Sequence, residues 1–195
     1  MMIKTQFKAS LLLVFAISLS FFSFPVLGAA DQKPDKSFSA RELLLAGHKF
    51  FAHVSNGLAA VVEQAVSKYG EPTAYILGEE GGVSVTAGLR YGEGILYSRK
   101  DDVKRVYWQG PSLGWDFGGH GARVMILVYD LEDRERIYRR FPGIAGSLYY
   151  AGGVGMTVME ADGIVLVHVS AGLGVRVGAN IGYLKFTKHP TWNPF

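Results

Sequence analysis

The chain has 195 residues, with 20 Lys and Arg against 17 Asp and Glu, no cysteine and 25 glycines. This length suits one domain with a real core, and the lack of cysteine excludes disulfides, thiolate metal sites, a cysteine nucleophile and lipid attachment through cysteine. A net charge of +3 without a Lys/Arg block argues against a nucleic-acid binder. Glycine is about twice as frequent as in average proteins, and hydrophobic residues make up 49%, so the composition indicates a globular, glycine-rich and β-rich protein.

Residues 1–30 have the three parts of a secretory signal peptide. Lys4 and Lys8 form a basic start, an apolar stretch follows from residue 9 to 24, and small residues end at Ala30. The apolar stretch is short for a membrane span, which needs about 20 residues. We therefore predict cleavage near Ala30, and a mature chain that is nearly neutral and not integral to the membrane. An exported chain without cysteine fits a bacterial periplasm.

One helix is predicted near the start of the mature chain, at about residues 40–69. Residues 31–38 are a polar lead-in, and Ser39 and Glu42 then form a capping box, in which each residue satisfies a free backbone amide of the other. An amphipathic pattern follows and ends at a glycine and a proline, which are typical stop signals. Two internal glycines weaken the middle of the helix, so a break into two helices stays open.

From about residue 73 to 188 the hydrophobic period changes to two, with glycines between the segments, which indicates β-strands. The clearest hairpin turns at Asp162-Gly163, with a loop of two or three residues. One helical turn fits between Leu131 and Phe141. Many short strands with turn signals between them are typical of a barrel or a sandwich. The predicted strands are Ala74–Gly78, Val83–Tyr91, Ile95–Ser98, Lys104–Gln109, Arg123–Tyr129, Ser147–Ala151, Val154–Glu160, Ile164–Val169, Leu173–Ala179 and Ile181–Thr187.

Two predicted strand segments have one nearly bare face. In residues 172–183, the face with the smaller side chains is mostly glycine and carries Arg176 and Asn180. In residues 83–91, the corresponding face carries Arg90. Bare faces let a helix, a ligand or the opposite barrel wall approach closely, or let a strand bend. Buried arginines need carboxylate partners, so we favour structural ion pairs at both arginines over a ligand site, and keep both open. The available carboxylates are Glu79, Glu80, Glu93 and Asp116.

The chain lacks a specific catalytic or metal-binding motif. No G-x-S-x-G elbow is present, the glycine clusters lack the context of a nucleotide site, and the five histidines lack the spacing of metal ligands. Asp116 and His120 could form an acid–base pair, although a turn-stabilising aspartate beside a solvated histidine is the favoured interpretation. His168 alternates with apolar residues, which is typical of a buried core histidine. We therefore predict no catalytic residue, no metal and no cofactor.

Aromatic residues concentrate around Trp108 and Trp115, and Trp192 lies near the C terminus. They could form an apolar rim for a partner, although packing against the barrel ends or the helix is favoured. The candidates for a ligand or partner site are Arg90, Arg176, Asp116, Asn180, Trp108 and Trp115.

Long strings of the chain resemble the envelope integrity protein A (EipA) family, from about Ser37 to Phe195. The resemblance implies a soluble periplasmic protein with an eight-stranded β-barrel and a helix, which contributes to resistance to envelope stress and has no established enzymatic activity. His120 stands where that family pattern leads us to expect a small acidic residue, which weakens the acid–base pair further. The strings are FFAHVSNGLAAVVEQ, EPTAYILGEEGG, GLRYGEGILY, VYWQGPSLGWDFGG, LVYDL, RFPGIAGSLYYAGGVG and GLGVRVGANIGYLKFTKHPTWNPF.

A fainter similarity, in WQGPSLGWDFGG and GLGVRVGA, is to SYLF-type lipid-binding domains. We expect one domain over residues 39–195 that is mainly β, with one N-terminal helix and a small antiparallel β-barrel of about eight strands. The expected function is non-enzymatic maintenance of the envelope, with an envelope lipid, glycan or protein as partner and no nucleic acid. One alternative is a carrier of a lipid or small apolar ligand, which needs a cavity of several hundred Å³. The other is a hydrolase of an envelope polymer that uses Asp116 and His120.

Overall fold

Two helices precede an antiparallel β-sheet in the computed structural model, which describes residues 36–51, 55–84, 87–113, 122–144, 147–171 and 182–193. The helices are α1 (Ala40–Phe51) and α2 (Ser55–Tyr69), and a 3₁₀ turn covers Arg134–Ile137. The strands are β1 (Ala74–Ser84), β2 (Ala87–Ser98), β3 (Lys104–Leu113), β4 (Ala122–Tyr129), β5 (Arg140–Pro142), β6 (Tyr149–Ala151), β7 (Val154–Ala161), β8 (Ile164–Ala171) and β9 (Tyr183–Thr187).

The predicted capping box begins α1. The backbone N–H of Ser39 donates to Glu42 Oε2 at 3.0 Å, and the backbone N–H of Glu42 donates to Ser39 Oγ at 3.4 Å. The predicted stop also ends α2, because Gly70 has φ +79° and its N–H donates to the Val66 carbonyl at 2.8 Å. Both helix ends thus follow from signals within one turn of the chain.

The prediction of one helix is corrected, because α1 ends at Phe51 and α2 begins at Ser55. The two internal glycines, Gly47 and Gly57, lie inside the helices rather than at the break. A single helix over residues 40–69 would be about 45 Å long, at 1.5 Å per residue. Two shorter helices instead lay their apolar faces on the same sheet, since both contribute buried side chains to one hydrophobic cluster with β4, β7 and β8.

The strands form one sheet in the order β5-β9-β3-β2-β1-β4-β8-β7-β6, with every pairing antiparallel. A bridge between Gly143 and Met159 joins the end of β5 to β7, so the sheet curves into a half-barrel. Ala161 pairs with Ile164 around a two-residue turn, in which Asp162 and Gly163 both have positive φ. This confirms the predicted hairpin with the shorter of the two loops.

The described residues contain nine strands rather than the eight expected. Residues 140–142, expected to end a helical turn, form β5, because they pair with β9 more than 40 residues away in the chain. The predicted strands Val83–Tyr91 and Ile95–Ser98 belong in large part to one strand, β2, whose glycines stay within the ladder. The predicted strand Leu173–Ala179 lies outside the described residues.

Apolar side chains cover both faces of the sheet, since β4 sends alternate residues into two separate cores. The outer core lies between the sheet and the helices and includes Leu43, Leu58, Val61, Met125, Leu127, Val167 and Val169. The inner core fills the half-barrel and includes Ile76, Leu96, Val106, Trp108, Ile126, Phe141, Leu166 and Phe186. Among the described residues, neither helix has the length and apolar character needed to cross a membrane.

Candidate functional site

Four polar side chains meet inside the half-barrel, and we refer to them as the interior cluster. They are Glu80 on β1, Arg90 on β2, Trp108 on β3 and His168 on β8, and each is at most 5% exposed. Their strands lie near one another in the sheet, which runs β3-β2-β1-β4-β8. Alternation directs each side chain inward, since Glu80 follows Ile76 and His168 follows Leu166 on the same faces of their strands.

Glu80 is the centre of the interior cluster. Its Oε2 atom accepts a hydrogen bond from Trp108 Nε1 at 2.9 Å and lies 3.0 Å from His168 Nε2. Its Oε1 atom lies 3.7 Å from Arg90 Nη1. An ionised carboxylate only accepts hydrogen bonds, so His168 must carry its proton on Nε2 and donate it. The Glu80 carboxylate is thus contacted by one side chain from each of the strands β2, β3 and β8.

The surroundings of Glu80 keep it ionised. Burial by itself would raise the pKa of the Glu80 carboxyl, because a charged group loses water there. Electrostatic interactions with His168 and Arg90, together with the hydrogen bonds from His168 and Trp108, outweigh burial and hold that pKa well below its usual range. The interior cluster is therefore an arrangement of mutually compensating buried charges, and removal of one member leaves the others uncompensated.

Glycines make room for the largest member of the cluster. A Cβ atom built on Gly92, which is paired with Trp108, would come closer than 3.0 Å to three atoms of the indole ring. A Cβ atom on Gly78 would likewise lie 2.7 Å from the indole. The group that approaches Gly92 is therefore the Trp108 side chain from the adjacent strand, and glycine is needed there because no other residue leaves that space. At Gly78 the Glu93 carbonyl oxygen, 2.2 Å from such a Cβ atom, is closer still.

Two buried polar atoms near this region have no hydrogen-bond partner among the residues that the structure describes. They are Nε of Arg90 and Nε2 of Gln109. Arg90 is held only by its ion pair with Glu80 in the described residues, so its guanidinium is incompletely satisfied. Gln109 lies on the opposite, outer face of β3, because it alternates with Trp108.

The structure places two of the six predicted site residues. Arg90 pairs with Glu80, one of the four carboxylates considered for it, and Trp108 is buried in the inner core. The other four, Arg176, Asp116, Asn180 and Trp115, lie outside the described residues, as does His120, and their roles stay predictions.

Sequence reasoning did not assemble the interior cluster around Glu80. The sequence predicts that His168 is a buried core histidine, and its 4% exposure confirms this. One sequence signal points to Glu80. It is the carboxylate on a strand face that otherwise carries Ala74, Ile76 and Gly78, and a carboxylate on such an apolar face needs a buried partner. Within the described ranges, no group of three or more His, Asp or Glu side chains is placed to hold a metal ion.

A half-barrel with a side-chain-filled interior and helices packed on its outer face defines a small β-barrel-like protein. Residues 36–195 match the family described as Envelope integrity protein A, and the chain belongs to that family. The chain is also similar to the crystal structure of a β-barrel-like, uncharacterised protein from Brucella abortus, with a TM-score of 0.76 and 50% sequence identity. That similarity covers 83% of this chain and 100% of the other. None of the proteins of curated function is similar in sequence.

Proposed function

We propose that this protein is a non-enzymatic component of the periplasm that maintains the integrity of the cell envelope under stress. The observation that carries the proposal is the family match, which covers residues 36–195 and therefore the whole described fold. Residues 1–30 act as a signal peptide that is cleaved near Ala30, and the mature chain works from the periplasm through an envelope lipid, glycan or protein.

The interior cluster supports a non-enzymatic role. A general acid or base must come within hydrogen-bond reach of the group that reacts. The Glu80 carboxylate is instead buried at 5% exposure, and its oxygens are directed to Trp108, His168 and Arg90. These contacts join β1 to β2, β3 and β8, which is a structural role for a buried carboxylate.

The packing of the inner core favours a partner outside the barrel over a lipid inside it. Trp108 and Phe141 each lie 5.8 Å, between ring centroids, from Phe186, and these three rings pack together within the inner core. A lipid carrier needs an enclosed apolar cavity of several hundred Å³ at such a place. Organic-solvent extraction of the protein, purified from the periplasm, should therefore release no bound lipid above the level of an unrelated periplasmic protein.

Deletion of the gene tests the envelope role. The deletion strain should become sensitive to detergent and to lysozyme while it tolerates cytoplasmic stresses as the parent does. The full-length chain should restore resistance, whereas a chain that starts at Met followed by residue 31 should not, because it stays in the cytoplasm. Equal sensitivity of the parent and the deletion strain to envelope insults would refute the proposal. N-terminal sequencing of periplasmic protein should begin at Asp31.

A double variant tests the non-enzymatic part separately. Asp116→Ala combined with His120→Ala removes the one acid–base pair that the sequence suggested. We expect this variant to restore resistance as well as the wild-type chain does. Failure to restore resistance, with normal amounts of folded protein in the periplasm, would instead support an envelope-polymer hydrolase.

A further inference from the structure

The C-terminal residues 188–193, which we name the strap, cross the outer face of β2 and β3. At one end Lys188 forms an ion pair with Glu135 and lies 5.2 Å from the ring centroid of Tyr138. At the other end Tyr91 donates its hydroxyl hydrogen to the Trp192 carbonyl at 3.0 Å, and the two rings meet edge to face at 5.0 Å. The strap is thus fastened by contacts near both ends.

A pocket of about 140 Å³ lies between the strap and the strands. Its lining is mainly aromatic and has no charged side chain. Trp192, at the rim, is 81% exposed, although a side chain of this size normally buries most of its surface. The lining residues are Tyr91, Gly92, Tyr107, Trp108, Gln109, Pro190, Thr191 and Trp192.

Gln109 gives this pocket an unsatisfied hydrogen-bond donor. Its side chain is 1% exposed, and its Oε1 atom lies 3.5 Å from Thr187 Oγ1, whose hydroxyl hydrogen has a nearer acceptor in the His189 carbonyl at 2.8 Å. Its Nε2 atom has no partner in the described part of the chain. A buried donor without a partner carries an uncompensated desolvation penalty. A ligand oxygen that accepted this hydrogen bond would recover that free energy, and the strap must shift for the oxygen to reach the amide.

We propose that the pocket binds a neutral sugar ring of a glycan. A pyranose ring has a face of C–H groups, which packs against aromatic rings such as those of Tyr91 and Trp192, and an edge of oxygens, which can accept from Gln109. The pocket lining has no charged side chain, and the nearest cation by register is Lys185, which pairs with Gln109 in the sheet and is not part of the lining, so a neutral ligand is favoured over a phosphate or carboxylate. A volume of about 140 Å³ suits one ring and is too small for a lipid chain.

A proline-rich peptide is the main competing occupant, because such peptides also bind grooves lined by aromatic residues. Those grooves accommodate several successive residues of an extended peptide, whereas this site is a single pocket of ring size. Sugar binding here does not depend on the envelope role. Trp108 of the interior cluster also lines the pocket, but the residues that would contact the sugar, Tyr91, Gln109 and Trp192, lie outside that cluster, so the two proposals can fail separately.

Titration calorimetry, with tryptophan fluorescence as a second readout, tests the proposal on protein purified from the periplasm after expression of the full-length chain. The probes are N-acetylglucosamine trisaccharide, maltotriose and a ten-residue proline peptide. We expect saturable binding of at least one trisaccharide and none of the peptide. The trisaccharide that binds distinguishes an N-acetylhexosamine glycan from a hexose glycan.

Two variants assign the binding to the pocket. Trp192→Ala removes the exposed rim, and Gln109→Leu removes the amide at nearly constant volume, so each should weaken sugar binding by about tenfold or more. Gln109→Leu should leave the unfolding midpoint unchanged or raise it, because a buried unpaired atom is lost. Tyr150→Ala, at an exposed aromatic residue outside the pocket, is the control and should bind as the wild type does.

Three results would overturn the proposal. The first is that folded protein shows no saturation with either trisaccharide at millimolar concentrations. The second is sugar binding that neither Trp192→Ala nor Gln109→Leu weakens. The third is saturable binding of the proline peptide that is lost in Trp192→Ala, which would assign the pocket to a peptide.

Discussion

The indole of Trp108 lies directly across Gly92, its neighbour in the adjacent strand. No Cβ atom fits at residue 92, because it would approach the indole more closely than real Cβ contacts allow. In this position the indole N–H reaches Glu80 at 2.9 Å. The missing side chain at residue 92 and the ion pair inside the half-barrel are therefore parts of one arrangement.

Replacing Gly92 with alanine should destabilise the protein by about 1–3 kcal/mol, as is usual when a methyl group is forced into a packed core. The matched control is Gly81→Ala on β1, where a Cβ atom would meet nothing within 4 Å. Alanine there should be neutral or slightly stabilising, because it restricts the unfolded chain. Urea unfolding measures both, and equal losses in the two variants would show that Trp108 does not depend on the space at residue 92.

Glu80→Gln should lower the free energy of unfolding by about 3–5 kcal/mol, because it leaves Arg90 buried without a counter-charge and removes the carboxylate that accepts from His168. The same change at Glu93, whose ion pair with Arg105 is more than half exposed, should cost less than about 1 kcal/mol. Chemical unfolding followed by circular dichroism compares the two. A loss at residue 80 as small as that at residue 93 would mean that the buried charges are better solvated than the structure indicates.

The stabilisation from Glu80 should disappear in acid. Its pKa is lowered in the folded protein from an ordinary value of 4.5, so both states are ionised above about pH 5 and its contribution is complete there. As the pH falls, the unfolded chain takes up the proton first, and stability is lost towards the lower folded pKa. The difference in unfolding free energy between wild type and Glu80→Gln should therefore shrink from about pH 5 to about pH 3.

This comparison isolates Glu80, because Glu42 and Glu135, whose pKa values are also lowered by their hydrogen bonds to Arg99 and Lys188, are present in both proteins. A difference that stays constant over this pH range would show that Glu80 does not gain its stability from being charged.

Gly57→Ala should destabilise the protein although alanine is the better helix former by about 1 kcal/mol. A Cβ atom at residue 57 would come within 3.0 Å of the carbonyl oxygens of Ala151 and Gly152, and these backbone atoms cannot turn away as a side chain can. We expect α2 to be pushed from the sheet, with a net loss of about 1–3 kcal/mol.

Gly47→Ala is the comparison, because its nearest neighbour is the flexible end of the Leu58 side chain. It should cost less than Gly57→Ala in thermal unfolding followed by circular dichroism. An increase in the unfolding midpoint of Gly57→Ala would contradict the close packing of helix and strand.

Features determined by neighbouring residues were predictable from the sequence. The Ser39–Glu42 box and the Asp162–Gly163 turn each depend on residues at most three positions apart, and both are found as expected. Alternation also predicted that Arg90 lies on the bare face of its strand and needs a carboxylate. These signals are local, so no knowledge of the sheet order was required.

Features determined by strand pairing were not predictable. Glu80 and His168 are separated by 88 residues, and only the sheet order brings them together. Four carboxylates were available to Arg90, and the register selects Glu80, because Gly82 stands opposite Arg90 and Glu80 is two residues away on the same face. Gly92 lies beyond the predicted bare segment of residues 83–91, and Trp108 as the group that approaches it follows only from their pairing in the sheet.

The order of strands also constrains when the protein can fold. β1, the first strand to be synthesised, lies at the centre of the sheet, whereas β9, the last, lies between β5 and β3. The Phe186 side chain of β9 covers one side of the Trp108 ring and of the Phe141 ring. Pairings between distant segments form slowly, since the long loop between them must close first. The half-barrel therefore cannot be completed until about residue 187 has been synthesised, and a nascent chain shorter than this exposes the aromatic rings of its own unfinished interior.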